Sequence, residues 1–287
     1  MAPAIAHFLV GASLLLVLVA PLALRYGIDR EHAIWLIPLG GLWGLAPDVH
    51  HVTPLFESRL YAFHNSPWAD LFALHYTLDR GAIRALYLES VFASIALFIV
   101  AVAIFWGTGR LRPDALSVRS GRDRILAWSV TTAVATGYAT VALGVAVSVQ
   151  EGFRSVSALV GSDSVLVGGL ALLPIGVVLG LLSGPVLEVL GGTRRVRPSV
   201  TTVCGGAFGA GGWIVGVGIG VPLWLGTVSG SALSVPFVHW GSLVALLVYG
   251  ATFGATYGVV RGAFQSAEAS RSLEGDRRSA RLRTGSQ

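Results

Sequence analysis

Long apolar runs separated by short polar segments dominate the chain. Nearly uncharged stretches at about 4–24, 84–107, 125–149, 164–190, 200–226 and 234–260 approach or exceed the ~20 residues that a helix needs to cross a bilayer. None alternates apolar with polar residues, so spans of a β-barrel are excluded. A further run at about 32–47, HAIWLIPLGGLWGLAP, is shorter and is interrupted by Pro38, Gly40 and Gly41. It reads as a short span or as a re-entrant segment, and the choice changes the count. The pattern predicts an all-α polytopic membrane protein with about seven transmembrane helices. A short interfacial helix is expected at about 67–79, where Ser66 can cap it, Pro67 suits its first turn and Asp70 complements its dipole.

The polar interruptions divide the pattern. Residues 1–108 form a three-span module, 109–124 an arginine-rich cytoplasmic linker, 125–262 a four-span glycine-rich module, and 263–287 a tail without a sustained apolar face, expected to be disordered. In the second module glycines recur at four-residue spacing: Gly176, Gly180 and Gly184; Gly212, Gly216 and Gly220; Gly250, Gly254 and Gly258. Each set lies on one helix face and lets another backbone approach, within the chain or in a homo-oligomer.

Composition agrees with the pattern. Hydrophobic residues make up 54% of the chain and charged residues 12%, which excludes an ordinary soluble domain. The opening MAPAIAH lacks a basic stretch, so the first run reads as a retained span rather than a cleaved leader. The net charge of +5 is carried by arginine alone, which excludes any Schiff-base lysine chemistry. Those arginines sit in short loops and the tail, as topology control rather than as a nucleic-acid surface. On a seven-span count, Arg25, Arg30 and the arginines of 108–124, 191–199 and the tail share one face; Arg59, Arg80, Arg84 and Arg154 share the other. The arginine-rich face is cytoplasmic, so the N-terminus lies outside and the C-terminus inside a cell membrane. The single Cys204 allows no internal disulfide and no cysteine-rich metal site.

The chemistry concentrates in residues 47–80, which hold His50, His51, His64 and His75 with Asp48, Asp70 and Asp79. On this topology His7 and His239 also lie at the outer face. His75 and Asp79 are four apart and share a helix face. Imidazole and carboxylate without thiolate suit Zn²⁺, Mn²⁺ or Fe²⁺. Asp48, His51, His75 and Asp79, with His7 and His64 next, are the expected ligands. Asp70 is a spare carboxylate able to serve as catalytic base. A divalent ion there activates water beside the bilayer, where a lipid ester or phosphoester is the nearest substrate. Two other readings stay open: a scaffold or transporter-like protein with a pH-responsive histidine-rich lid, and a haem held by His7 and His239.

Residues 1–107 resemble the membrane-bound metal-dependent hydrolases of the YdjM-like type. The likeness is carried by Ala6-His7-Phe8-Leu9-Val10-Gly11-Ala12, by Pro47-Asp48-Val49-His50-His51, and more loosely by His64-Asn65-Ser66 through His75. That family has aspartate where this chain has His50. The resemblance implies a metal-dependent hydrolase. The stretch HWGSLVALLVYGATFGATYG at 239–258 is similar to glycine-rich four-helix membrane modules of uncharacterised haloarchaeal proteins, and implies no activity.

Overall fold

In a computed structural model, residues 3–110, 121–191, 196–228, 230 and 233–284 are described. Most of the arginine-rich linker lies outside these residues. Among them every regular element is helical. In order these are α1 (Ala4–Tyr26), α2 (Ala33–Leu45), α3 (Glu57–His64), α4 (His75–Leu78), α5 (Gly81–Arg84), α6 (Tyr87–Arg110), α7 (Gly121–Val149), α8 (Phe153–Ala158), α9 (Val165–Gly191), α10 (Pro198–Gly212), α11 (Val221–Val228) and α12 (Trp240–Thr284). A π-helical stretch, Trp213–Gly220, joins α10 to α11. Six of these segments are long and apolar enough to cross a membrane: Ala4–Tyr26, Tyr87–Thr108, Asp123–Val149, Val165–Val189, Pro198–Val228 and Trp240–Gln265. Their outward residues are large and apolar, as at Leu166 and Val203, each 72% exposed, which only a lipid surround makes favourable.

The expected span at 32–47 is not among the six. Its α-helix covers 13 residues, about 20 Å of rise. Short 3₁₀ turns at Arg30–His32 and Ala46–His51 flank it. Gly27, with φ 68°, stops α1 in a left-handed turn whose N–H bonds to Ala23 O, and α2 then folds back along α1. Glycine makes that return possible. A Cβ on Gly11 would lie 2.3 Å from Gly40 O, and one on Gly44 would lie 2.3 Å from His7 O. The two backbones therefore touch, and Gly44 arrives beside His7.

Helix α1 is the centre of the first half, with Leu16 and Ala20 packed against Ala101 and Phe105 of α6. The second half centres on α12, whose Tyr249, Phe253 and Tyr257 stack in a ladder against α7 and α9. Of the glycines at four-residue spacing, Gly176, Gly180 and Gly184 lie against Thr140, Thr136 and Thr132 of α7. Gly250 and Gly254 meet Gly205 and Thr201 of α10, whereas a Cβ on Gly212 or Gly216 would meet nothing within 4 Å. The halves are tied by polar bonds: Arg25 Nη1 donates to Gly258 O at 2.7 Å, and the Tyr138 hydroxyl donates to Val17 O.

One local expectation is corrected. The single helix at 67–79 is instead a 3₁₀ turn, Pro67–Leu71, then a left-handed pair at Ala73 (φ 56°) and Leu74 (φ 62°), then α4. Ser66 does not cap it, since its hydroxyl turns back to Phe63 O. The helical backbone of α12 runs on to Thr284. Elongating an existing helix adds a hydrogen bond per residue without a new nucleus, and the alanines, glutamates and arginines there are good helix formers.

Candidate metal centre

Four separate elements deliver the site. Helix α1 contributes His7, the turn after α2 contributes Asp48 and His50, the end of α3 contributes His64, and α4 with its C-cap contributes His75 and Asp79. The left-handed pair at Ala73 and Leu74 aims α4 at the others. Non-glycine residues adopt this conformation at a cost of roughly 1–3 kcal/mol each, so the surroundings must hold it. Asp70 does so. Its Oδ1 accepts from Thr77 N at 2.7 Å, and its Oδ2 accepts from the hydroxyls of Thr77 at 2.7 Å and Ser148 at 2.6 Å. This buried carboxylate thus clamps the turn and ties it to α7.

Within the cluster the donor atoms are closely and evenly spaced. His64 Nδ1 lies 3.4 Å from Asp48 Oδ1, and His64 Nε2 lies 3.3 Å from Asp79 Oδ2. His75 Nε2 is 3.3 Å from Asp48 Oδ1, 3.7 Å from Asp79 Oδ2 and 3.2 Å from His64 Nδ1. His7 Nε2 is 3.5 Å from Asp79 Oδ1, and the His7 and His75 rings stack with centroids 3.9 Å apart. Tetrahedral ligands ~2.0–2.2 Å from a metal stand about 3.3–3.6 Å from one another, and the distances here, 3.2 to 3.7 Å, bracket that range. Two triads, His7–His75–Asp79 and Asp48–His64–His75, each keep one ligand atom per residue within 4.8 Å of the others, and His75 belongs to both.

Tautomers follow from backbone carbonyls, which can only accept. His75 Nδ1 therefore donates to Gly44 O at 2.9 Å, which leaves Nε2 of the neutral ring as a lone pair facing the cluster. His50 Nδ1 likewise donates to Pro47 O at 3.0 Å. Both nitrogens of buried His7, and Nε2 of buried His50, make no hydrogen bond. Orphaned buried polar atoms are uncommon, and a missing ion is one of the standard reasons for them.

The electrostatics are mixed: the lowered Asp48 and His64 suit a cation, whereas the raised His75 must give up its proton to one. Burial works to raise the Asp48 carboxyl, but the His75 hydrogen bond and the charges of His75, His7 and His64 outweigh it and hold it below its ordinary value. For His64, burial and then the neighbouring His75 lower the imidazole despite Asp48 and Asp79, favouring the neutral ring that a metal needs. Burial also pulls His75 down, but its bonds to Asp48 and to the Gly44 carbonyl win and raise it.

Of the residues named from sequence, the structure brings together His7, Asp48, His64, His75 and Asp79. His51 is exposed, lies tilted against His50 and edge-on to His64, and belongs to neither triad. The inward member of that pair is His50, whose ring lies 4.6 Å from that of His64. Nor does Asp70 join either triad; it is the clamp described above. His239 is exposed and bonded within its own turn, while His7 faces His75. Thr77 and Ser148 carried no sequence signal, because a hydroxyl bonded to a distant carboxylate looks like any other small polar residue. No family model, curated protein or solved structure matches the chain.

Proposed function

We propose that this chain is a multi-pass membrane protein that holds one divalent metal ion in its His/Asp cluster and hydrolyses a lipid ester or phosphoester at the extracytoplasmic rim. The observation that carries the reading is the pair of triads, His7–His75–Asp79 and Asp48–His64–His75, in which imidazole and carboxylate atoms from four elements converge around His75. The arginine distribution supports an outward-facing site.

Zn²⁺, Mn²⁺ or Fe²⁺ fits the donor set, and the chemistry such an ion supplies is Lewis acidity toward an ester or phosphoryl oxygen and toward water. The chain's own groups do the rest. Gly44 O holds His75 in one tautomer, and the Asp70 clamp holds α4 in place. Asp48, with 23% of its side chain exposed against none of His75, is the face through which substrate and water arrive. A carboxylate at that rim is placed to orient an incoming water or take its proton.

Purified protein is expected to carry about one equivalent of a divalent metal, as a single shared His75 Nε2 allows only one ion of this kind. His64→Ala combined with His75→Ala should remove both the metal and any metal-dependent release of headgroup or acyl chain from phospholipid vesicles. Metal content unchanged in that variant would sink the reading. A colourless, metal-free protein whose conformation follows pH would instead favour the lid, for which the paired His75 and Asp48 are the supporting observation.

A further inference from the structure

A second feature of the bundle is a cavity of about 1510 Å³ between α1, α6, α7 and α12, larger than the ~300–1,000 Å³ of an ordinary small-molecule site. One face of α7 forms its long wall, through Ala127, Val130, Ala133, Gly137, Val141 and Val145. These recur every three or four residues, the spacing of one helix face, and all are small or β-branched, so the wall is a groove rather than a ridge. The lining on α7 runs from Asp123 to Val149, about 39 Å at 1.5 Å per residue, against ~30 Å for a bilayer's hydrocarbon core. Three polar ties frame the cavity: Asp70 to Ser148 at the metal-centre end, Tyr138 to Val17 midway, and Arg25 to Gly258 at the far end. It opens toward lipid, with Leu126 64% and Val141 56% exposed.

The cavity and the metal cluster share walls. Trp43 lines the cavity, while the carbonyl of the next residue, Gly44, holds His75. Ala73 and Leu74 line it too, and the residue that follows them is His75 itself. The strained left-handed pair therefore separates two surfaces, one apolar and one metal-ligating, across a single residue.

We infer that this cleft is an acyl-chain site: it seats a chain of one bilayer phospholipid between α1 and α7, with the headgroup end beside His75. The polar residues of the lining, chiefly Asp70, Asp123, Tyr138 and Gln150, are few against the apolar ones, and inside a bilayer the mobile apolar material at the cavity's mouth is acyl chain. The chain-binding half of the inference stands on the cleft alone; the headgroup half rests on the proposed metal centre.

The test reads retention of phosphatidylglycerol by the full-length, metal-stripped protein after detergent exchange, by native mass spectrometry. A Cβ at Gly137 meets nothing within 4 Å, so Gly137→Trp fills the cleft without a backbone clash. Val178→Trp, on the lipid-facing surface of α9 (55% exposed), is the control. Wild type, Val178→Trp and His75→Ala should retain the lipid. Gly137→Trp should bind it at least ~10-fold more weakly, the scale of an overpacked site. Val141→Trp from the same wall repeats the test should Gly137→Trp fail to fold. Equal retention by cleft and surface variants means only annular lipid and overturns the inference. Hydrolysis is read separately with Zn²⁺ or Mn²⁺ restored: selective retention without any lipid hydrolysis then keeps the acyl site and removes the hydrolase reading. Selective retention with hydrolysis undiminished in Gly137→Trp removes the headgroup placement.

Discussion

Replacing His75 by alanine is the sharpest test of the metal centre, because its Nε2 is the only atom common to both triads. The neighbouring residues serve one triad each: His7 appears in the first and His64 in the second. Loss of a group that merely orients a ligand typically weakens metal binding ~10–100-fold, so loss of the shared ligand should cost at least the upper figure. The effect can be read as thermal stability. At free metal 100 times the wild-type Kd, binding stabilises the folded protein by about 2.7 kcal/mol; a variant with 100-fold weaker affinity gains only about 0.4 kcal/mol. The difference, roughly 2 kcal/mol, separates the two melting curves on metal addition. The assay is a melting series of metal-stripped wild type, His75→Ala, His64→Ala and His7→Ala in detergent, with and without Zn²⁺ or Mn²⁺. The metal-induced shift should be smallest for His75→Ala and intermediate for the other two. An equal shift in wild type and His75→Ala would refute the shared-ligand geometry.

Other consequences follow from the same contacts. Gly44→Ala places a Cβ 2.3 Å from His7 O, so it should destabilise the protein by ~1–3 kcal/mol as an overpacked contact. It should also weaken metal binding, since it shifts the carbonyl that orients His75; Gly81→Ala, whose Cβ meets nothing within 4 Å, should do neither. Asp70→Asn loses acceptor capacity for Thr77 and Ser148, so chemical denaturation should show a loss of roughly 1–3 kcal/mol. Metal stoichiometry should stay unchanged, and a metal-free Asp70→Asn protein would show that the carboxylate is a ligand after all. For the metal-free protein the two buried imidazoles give opposite pH slopes. His75, raised on folding, contributes stability that is present below the unfolded value of ~6.5 and lost as pH rises through its higher folded value. His64, lowered on folding, contributes stability present above ~6.5 and lost as pH falls from there through its folded value. Metal-free His64→Gln should therefore grow less stable above pH ~6.5, and metal-free His75→Gln should lose stability below it; parallel slopes would contradict the assignment.

How much of this was legible in the chain depends on the range of the interaction concerned. Bilayer insertion acts on each segment by itself, demanding about 20 apolar residues with every backbone group bonded internally, so the six long spans could be read without any tertiary knowledge. The end of α1 at Gly27 is equally local. So is the His75–Asp79 pair, since four-residue spacing on one helical turn brings both groups to one side. Residues 47–80 stood out as the chemical centre because polar, titratable groups there interrupt an apolar chain.

Convergence is another matter. Whether His50 or His51 turns inward depends on the phase of a six-residue 3₁₀ turn, which adjacent residues of the same type do not reveal. Asp70 looked like a helix-start carboxylate, and only the approach of Ser148, 78 positions away, makes it the clamp that breaks that helix in two. The short α2 shows in the apolar pattern, but not that its glycines bring backbone against backbone and set Gly44 beside His7. The cleft along α7 is written in small side chains that also suit tight packing, so the pattern alone leaves open whether a neighbour fills it. Local sequence determines which segments are helical and which are apolar, because those preferences act within a turn or a bilayer's thickness. The meeting of three imidazoles and two carboxylates at one point is decided by how rigid helices settle against each other, through contacts between residues far apart in the chain.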